Sequence, residues 1–382
     1  MGSTDKTGNR AYWRWYLAAA ALSVAVGTGA FVAAMEDAPE SPVAAETTNT
    51  TTADASTTPI GATGAATADA SIAQTSPAVP LLDASAVGEQ VIPSVVTVQI
   101  RGASFQGDDV VVGSGSGVVY DDDGHIITNE HVVAAGDIYE VVLSDGRIYP
   151  AEVVGVDAMT DLAVLVVTAQ DLTPIRIGAS DGLAVGDPAV AVGSPLGLDG
   201  GPSLTVGVIS AFGREVNTGS SSLFGMLQTD APITSGSSGG ALVDNAGDLV
   251  GITTAVGVSE IGVEGIGFAT PVEIVVRVAD EIIATGAASS PYLGIFPEPA
   301  LEDTADGGSI PTGIAVTQVE PNTAAADAGI EEGDVISAID GIEVHTFNEL
   351  VAALRRFAAG ETIEVTLVSG SVLDVTLGER PE

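Results

Sequence analysis

From Gln90 onward the chain is cut into short apolar runs by glycine and acidic turns, and this punctuation limits its fold more than any other feature. Runs 95–100, 115–120, 125–128, 139–143 and 162–167 have strand length and are rich in β-branched residues. Between them stand Asp122-Asp123-Gly124 and Ser144-Asp145-Gly146, both hairpin signals. A second set follows at 188–192, 204–210 and 249–253. Strands this closely spaced, with no helical period between them, predict an all-β barrel or sandwich rather than a parallel sheet. The set closes on a predicted helix over 274–284. Thr270 and Glu273 have the spacing of a capping box, Pro271 falls at the first helical position and Gly286 supplies the stop. The fold class expected is mostly β, with two barrels and a terminal helix.

The first 80 residues have a different texture. Residues 15–35 carry no charge, Lys6, Arg10 and Arg14 precede them, and Glu36, Asp37 and Glu40 follow. A run of this length spans a bilayer as a helix, and the charge asymmetry leaves the N-terminus inside. Tyr12, Trp13, Trp15 and Tyr16 stand where an interfacial aromatic belt would lie. The expected organisation is a cytoplasmic segment over 1–15 and a transmembrane anchor over 16–35. Val32-Ala33-Ala34 keeps a cleaved signal peptide as the alternative. Either reading exports the rest. Residues 36–82, dominated by Ala, Thr, Ser, Pro and acid, read as a disordered spacer.

Composition removes several function classes. With 51 acidic against 11 basic residues, a formal charge of −40, the chain is ill suited to a phosphate backbone, so no nucleic-acid partner is expected. It has no cysteine, which excludes disulfides, thiolate metal sites and a cysteine nucleophile. His125, His131 and His345 are not spaced as a metal cluster, so neither metal nor cofactor is expected.

Three segments carry candidate chemistry. Thr128-Asn129-Glu130-His131-Val132 places a histidine just after a strand. Thr160-Asp161-Leu162-Ala163-Val164 places an aspartate at a strand mouth, and Gly236-Ser237-Ser238-Gly239-Gly240 places a serine in a glycine-flanked turn. Each alone has a plainer reading, as a structural histidine, a cap or a loop. Together they meet the needs of a serine nucleophile: a base to take the hydroxyl proton, an acid to orient that base, and a tight turn able to aim backbone N–H groups at an oxyanion.

These segments, with 191–197, 206–210 and 265–269, resemble the signature stretches of the HtrA (Deg) family of serine proteases from about residue 88 to 380. The resemblance implies a chymotrypsin-like double barrel over 83–286, with His131 as base and then acid, Asp161 as its orienting acid and Ser238 as nucleophile. It also implies an oxyanion hole from the N–H groups of Gly236 and Ser238. His125, His345, Asp157, Ser235 and Ser237 are rivals that do not match the motifs. The chain departs from the family pattern at Pro232, Thr234, Ser235 and Ser237, where changed loop stiffness is expected. Misfolded or damaged proteins as substrates, small aliphatic residues before the scissile bond and a homotrimer are further implications.

After a linker over 287–291, the order of elements over 292–382 resembles one PDZ domain of the kind fused to these proteases. Tyr292, Leu293, Gly294 and Ile295 would be its carboxylate-binding loop, gripping peptide C-termini. Thr346 to Glu349 predicts a second capping box, opening a helix through Leu350, Leu354 and Phe357. Two other functions stay open: a signalling protease switched on by a peptide in the PDZ site, and a catalytically silent peptide-binding chaperone.

Overall fold

A computed structural model describes residues 82–103, 109–134, 136–195, 201–218, 222–254 and 265–381. The anchor expected at 16–35 and, save Leu82, the spacer expected at 36–82 lie outside the described residues. Among the described residues no helix is long and apolar enough to cross a membrane.

The described residues open on a helix that the strand pattern did not announce. The Asp83 carboxylate accepts the Ala86 N–H at 3.1 Å and so caps α1 (Ala84–Val91), whose Val87 and Val91 are buried. Pro93, in the 3₁₀ turn Ile92–Ser94, ends the helix and sends the chain into the first strand. Strands β1 (Val95–Ala103), β2 (Asp109–Val119), β3 (His125–Thr128), β4 (Ile138–Val142), β5 (Ile148–Asp157) and β6 (Leu162–Val167) close an antiparallel barrel in the order β1-β2-β3-β6-β5-β4. The one-turn helix α2 (Glu130–Val133) follows β3. Gly124 and Gly146 turn the two expected hairpins with φ of 98° and 88°.

A second barrel repeats the plan. Strands β7 (Pro188–Gly193), β8 (Ser203–Asn217), β9 (Ser222–Thr229), β10 (Ala241–Val243), β11 (Leu249–Thr254) and β12 (Gly267–Pro271) run in the order β10-β11-β12-β9-β8-β7. Where the barrels meet, strands are buried on both faces. Ile126, Ala163 and Leu165 fill the first barrel, while Ile127, Leu162 and Val164 join a core shared with the second barrel and its terminal helix. Successive side chains of a strand point opposite ways, so a strand buried on both sides needs an unbroken apolar run, as 162–167 has.

Helix α3 (Val272–Thr285) buries Val275, Val278 and Ile282 in that shared core and stops at Gly286, with φ of 85°. Its start departs from expectation. Pro271 is the cap and no side chain caps the helix. Thr270 stays in β12 opposite Ile252, and the Glu273 carboxylate accepts the Ser180 N–H at 2.7 Å instead. Enrolment of Thr270 in the barrel removes it from the box.

The C-terminal domain holds β13 (Pro291–Tyr292), β14 (Ile295–Asp303), β15 (Ser309–Val319), α4 (Ala324–Ala328), β16 (Val335–Ile339), β17 (Ile342–Glu343), α5 (Phe347–Leu354), β18 (Thr362–Leu367), β19 (Val372–Thr376) and β20 (Gly378–Glu379). One sheet runs β14-β15-β16-β18-β19 with β17 on β16, while β13 pairs with β20. Here the capping box forms: Thr346 accepts the Glu349 N–H at 3.2 Å and Glu349 accepts the Thr346 N–H at 3.0 Å. The helix is shorter than expected. Arg355 is its cap, and Phe357 lies in a tightened turn whose N–H reaches only to the Leu354 carbonyl.

Barrels and C-terminal domain belong to one compact unit. Helix α5 lies so close to β9 that a Cβ at Gly225 would stand 2.5 Å from the Ala352 Cβ. Phe347 meets Phe224 edge to face with centroids 5.8 Å apart, and Arg356 forks onto Asp181 at 2.6 Å. The connection over 287–291 is held at several points. Ser289 donates its N–H and hydroxyl to Glu281 at 2.9 and 2.7 Å, and the Ser290 N–H bonds to Glu379 at 2.7 Å.

Candidate active site

Two expected residues meet directly. His131, in the first turn after β3, places Nδ1 2.9 and 2.8 Å from the two carboxylate oxygens of Asp161. A carboxylate only accepts, so Nδ1 donates and Nε2 is the ring nitrogen left to face away from Asp161. The His131 N–H donates to the same carboxylate at 3.0 Å, and the Thr254 hydroxyl at the end of β11 does so at 3.3 Å. Asp161 is only 5% exposed, and this set of donors gives its buried carboxylate the hydrogen-bond partners that burial demands. Its backbone is held too: its carbonyl accepts the Glu130 N–H at 3.1 Å and the Asn129 side-chain amide at 2.7 Å. At φ of 56° Asp161 occupies the left-handed region, which aspartate tolerates better than most residues.

Ser238 sits in the second of two consecutive glycine-bearing turns at the barrel junction. The Ser237 N–H bonds to the Thr234 carbonyl at 2.9 Å, with Gly236 at φ 91°, and the Gly240 N–H to the Ser237 carbonyl at 3.0 Å, with Gly239 at φ 84°. A turn with positive φ at its third residue needs glycine there, which accounts for both positions. Gly239 is fixed by space as well, since a Cβ would come within 2.2 Å of the Ser116 carbonyl and 2.5 Å of the Thr128 hydroxyl.

Ser116 of β2 fastens the turn to the first barrel. Its N–H donates to the Ser238 carbonyl at 2.8 Å, and its hydroxyl donates to the Gly236 carbonyl and accepts the Ser194 N–H, both at 2.7 Å. Thr128, three residues before His131, donates to the Ser116 carbonyl at 2.7 Å. The strand that leads to the histidine and the turn that carries the serine are thus tied through one buried residue. Ser116, Thr254 and Asn129 were not singled out from the sequence. The signal for Ser116 was present in the glycines beside it, since glycine inside a strand marks a close approach. A Cβ at Gly115 would meet Val132 at 2.7 Å, and one at Gly117 would meet Ile126 at 2.7 Å.

The rivals are engaged elsewhere. His125 bonds to Asp121 at 2.6 Å in the β2–β3 hairpin, and the His345 N–H bonds to Glu349 at 2.8 Å. Asp157 accepts the Thr160 hydroxyl at 2.7 Å, while Ser237 gives its carbonyl to the Thr253 hydroxyl at 2.7 Å. Ser235 is an exposed member of the first of the two turns.

The C-terminal domain presents a cavity of about 210 Å³. Tyr292, Leu293, Gly294 and Ile295 line one side, Leu350 and Leu354 of α5 another, and Met159 of the first barrel also borders it. The carbonyls of Leu293 and Gly294 accept from Ala325 and Glu320 at 2.8 and 2.9 Å. The N–H groups of those two residues make no hydrogen bond among the described residues. Gly294 has φ of 87° and presses on Thr323, which no larger residue could do. Such a loop can receive an acceptor from outside the chain.

Comparison with known proteins covers both regions. Residues 115–252 match the trypsin-like peptidase domain, and residues 315–368 match the PDZ domain. The chain is 34% identical over 367 residues to the periplasmic serine endoprotease DegP of Escherichia coli K12, covering 84% of this chain and 76% of that one. It is 36% identical over 291 residues to the putative serine protease HhoB of Synechocystis, covering 71% and 67%. The solved structure of the HtrA-type protease AlgW with a decapeptide superposes with a TM-score of 0.58 at 31% identity, covering 78% of this chain and 99% of that one.

Proposed function

The chain belongs to the HtrA family of serine endopeptidases, and from that membership we propose that it cleaves unfolded or damaged proteins outside the cytoplasm, using His131, Asp161 and Ser238 as its triad. The observation that carries this reading is the His131 ring held through Nδ1 by a buried carboxylate, beside a serine turn pinned to the same junction. Nε2 takes the Ser238 hydroxyl proton as the oxygen attacks the scissile carbonyl carbon. The negative charge passes to the carbonyl oxygen, which the N–H groups of Gly236 and Ser238 receive. Collapse breaks the C–N bond, and His131 returns the proton to the departing amine. Water then hydrolyses the acyl-serine by the same proton traffic.

The C-terminal domain, in this reading, grips peptide C-termini at Tyr292–Ile295 and feeds or sorts substrates. Residues 16–35 anchor the chain in a membrane, or are removed on export, and the working unit is a homotrimer. A preference for small aliphatic residues before the cut completes the proposal. The border that Met159 gives the peptide cavity, two residues from Asp161, favours a second reading in which an occupied groove switches the protease on. Casein cleavage that rises with one peptide sequence alone would select it.

The direct test is a fluorophosphonate probe on the full chain, with the labelled residue located by mass spectrometry. Ser238 is expected to be labelled, and Ser238→Ala to lose both label and casein cleavage while unfolding at the wild-type temperature. Cleavage undiminished in Ser238→Ala would overturn the assignment.

A further inference from the structure

We infer that Arg355 is the charged anchor for the α-carboxylate of a protein tail whose last side chain is apolar, and so sets the preference for free chain ends. This rests on the tail-gripping role proposed for the C-terminal domain. The chain has only 11 basic residues, and this one is almost wholly enclosed, at 7% exposure. Its guanidinium makes no hydrogen bond or ion pair among the described residues, and its buried Nε has no partner. It lies over the Phe224 ring at 5.2 Å and lines the cavity that Leu293, Gly294 and the exposed Arg380 also border. Burial, with further repulsion from Arg277 and Arg380, lowers its pKa to about 10, against the partial support of Asp157.

A guanidinium that is almost wholly enclosed, with its Nε buried and unpartnered, is costly unless an acceptor reaches the rest of the group. A carboxylate matches the guanidinium fork in shape and charge, and the unbonded N–H groups of Leu293 and Gly294 belong to residues that line the same cavity. Leu293, Ile295, Leu350 and Leu354 give the remaining wall an apolar character, which suits the side chain of a terminal Leu, Val or Phe. The fork would thus tell an ionised chain end from a neutral one, a distinction that the apolar wall cannot make.

The test uses the full chain carrying Ser238→Ala, so that peptides survive. Fluorescent decapeptides ending in Leu are titrated as free acid and as amide, together with an amidated peptide ending in Glu, whose only carboxylate there is a side chain. Wild-type Arg355 is expected to bind the free acid about tenfold or more tightly than the amide. Arg355→Met should lose that factor on the acid and change the amide by less than about twofold. Because a buried charge replaced by an apolar residue of similar volume is often neutral or stabilising, Arg355→Met should melt no lower than its parent. Arg355→Lys, which keeps the charge without the fork, should fall between. Equal losses on acid and amide, or a preference that survives both substitutions, would overturn the role of Arg355 while sparing the tail-gripping function. Binding of the Glu-ended amide as tight as the acid and as dependent on Arg355 would overturn the choice of the α-carboxylate. A wild type indifferent to the three peptides would overturn tail recognition itself, and this inference with it.

Discussion

Asp161 does three things at once: it orients His131, accepts the Thr254 hydroxyl from the second barrel, and turns the chain through a left-handed backbone. Asparagine tolerates the same backbone conformation, so Asp161→Asn should keep the fold. Its side-chain amide, however, no longer requires the hydrogen on Nδ1 and cannot stabilise an imidazolium. Turnover of a casein-derived peptide is therefore expected to fall about 10⁴-fold with an unchanged melting temperature. A loss below about tenfold would remove Asp161 from the proposed triad. At this scale the sequence was legible where chemistry sits in a short motif, as at His131, Asp161 and Ser238. It was opaque where a role arises only from distant partners. Ser116 joins Gly236, Ser238, Thr128 and Ser194, none of them its neighbours in sequence, and Arg355 reads locally as an ordinary helix-end arginine.

The two Thr-x-x-Glu stretches show why elements are harder to read than motifs. Thr270 and Glu273 have the same spacing as Thr346 and Glu349, yet only the second pair forms a box. Thr270 is held in β12, and Glu273 is drawn to Ser180. No local pattern reports such a tertiary claim on a residue. The difference predicts unequal costs for the same change. Thr346→Ala should destabilise the C-terminal domain by about 1 kcal/mol, read from denaturant unfolding. Thr270→Ala, read in the same way, should lose no helix cap, because Thr270 caps nothing. Its cost comes from the buried place of Thr270 in β12, and Thr270→Val, which fills that place without the hydroxyl, should restore most of it. Hairpins were legible because Gly124 and Gly146 announce positive φ in the sequence itself. Helix α1 was not, because its stability comes from Val87 and Val91 packing into a core assembled from both barrels.

The double barrel followed from strand spacing, whereas the seating of the C-terminal domain did not, since it depends on single contacts between distant residues. One of these is titratable. Arg356, by its hydrogen bonds, holds the Asp181 carboxyl below the usual carboxylate range. A lowered pKa means the bridge contributes fully above about pH 4, the unfolded value, and is lost as pH falls through the lowered one. Asp181 is 60% exposed, so solvent screening keeps the contribution under about 1 kcal/mol. Wild type should therefore melt slightly higher than Asp181→Asn at neutral pH, and the gap should close as the pH falls below about 4. A gap that widened on acidification would contradict this assignment.

The bonds that Ser289 and Ser290 make on either side of the junction have a kinetic consequence. The five residues between the domains are stitched down, not slack, so movement of the C-terminal domain away from the barrels has to break these bonds. Exchange of those two serine amides with deuterium is therefore the clock of its release: rates alike at both would mark a concerted opening, and rates far apart a stepwise one.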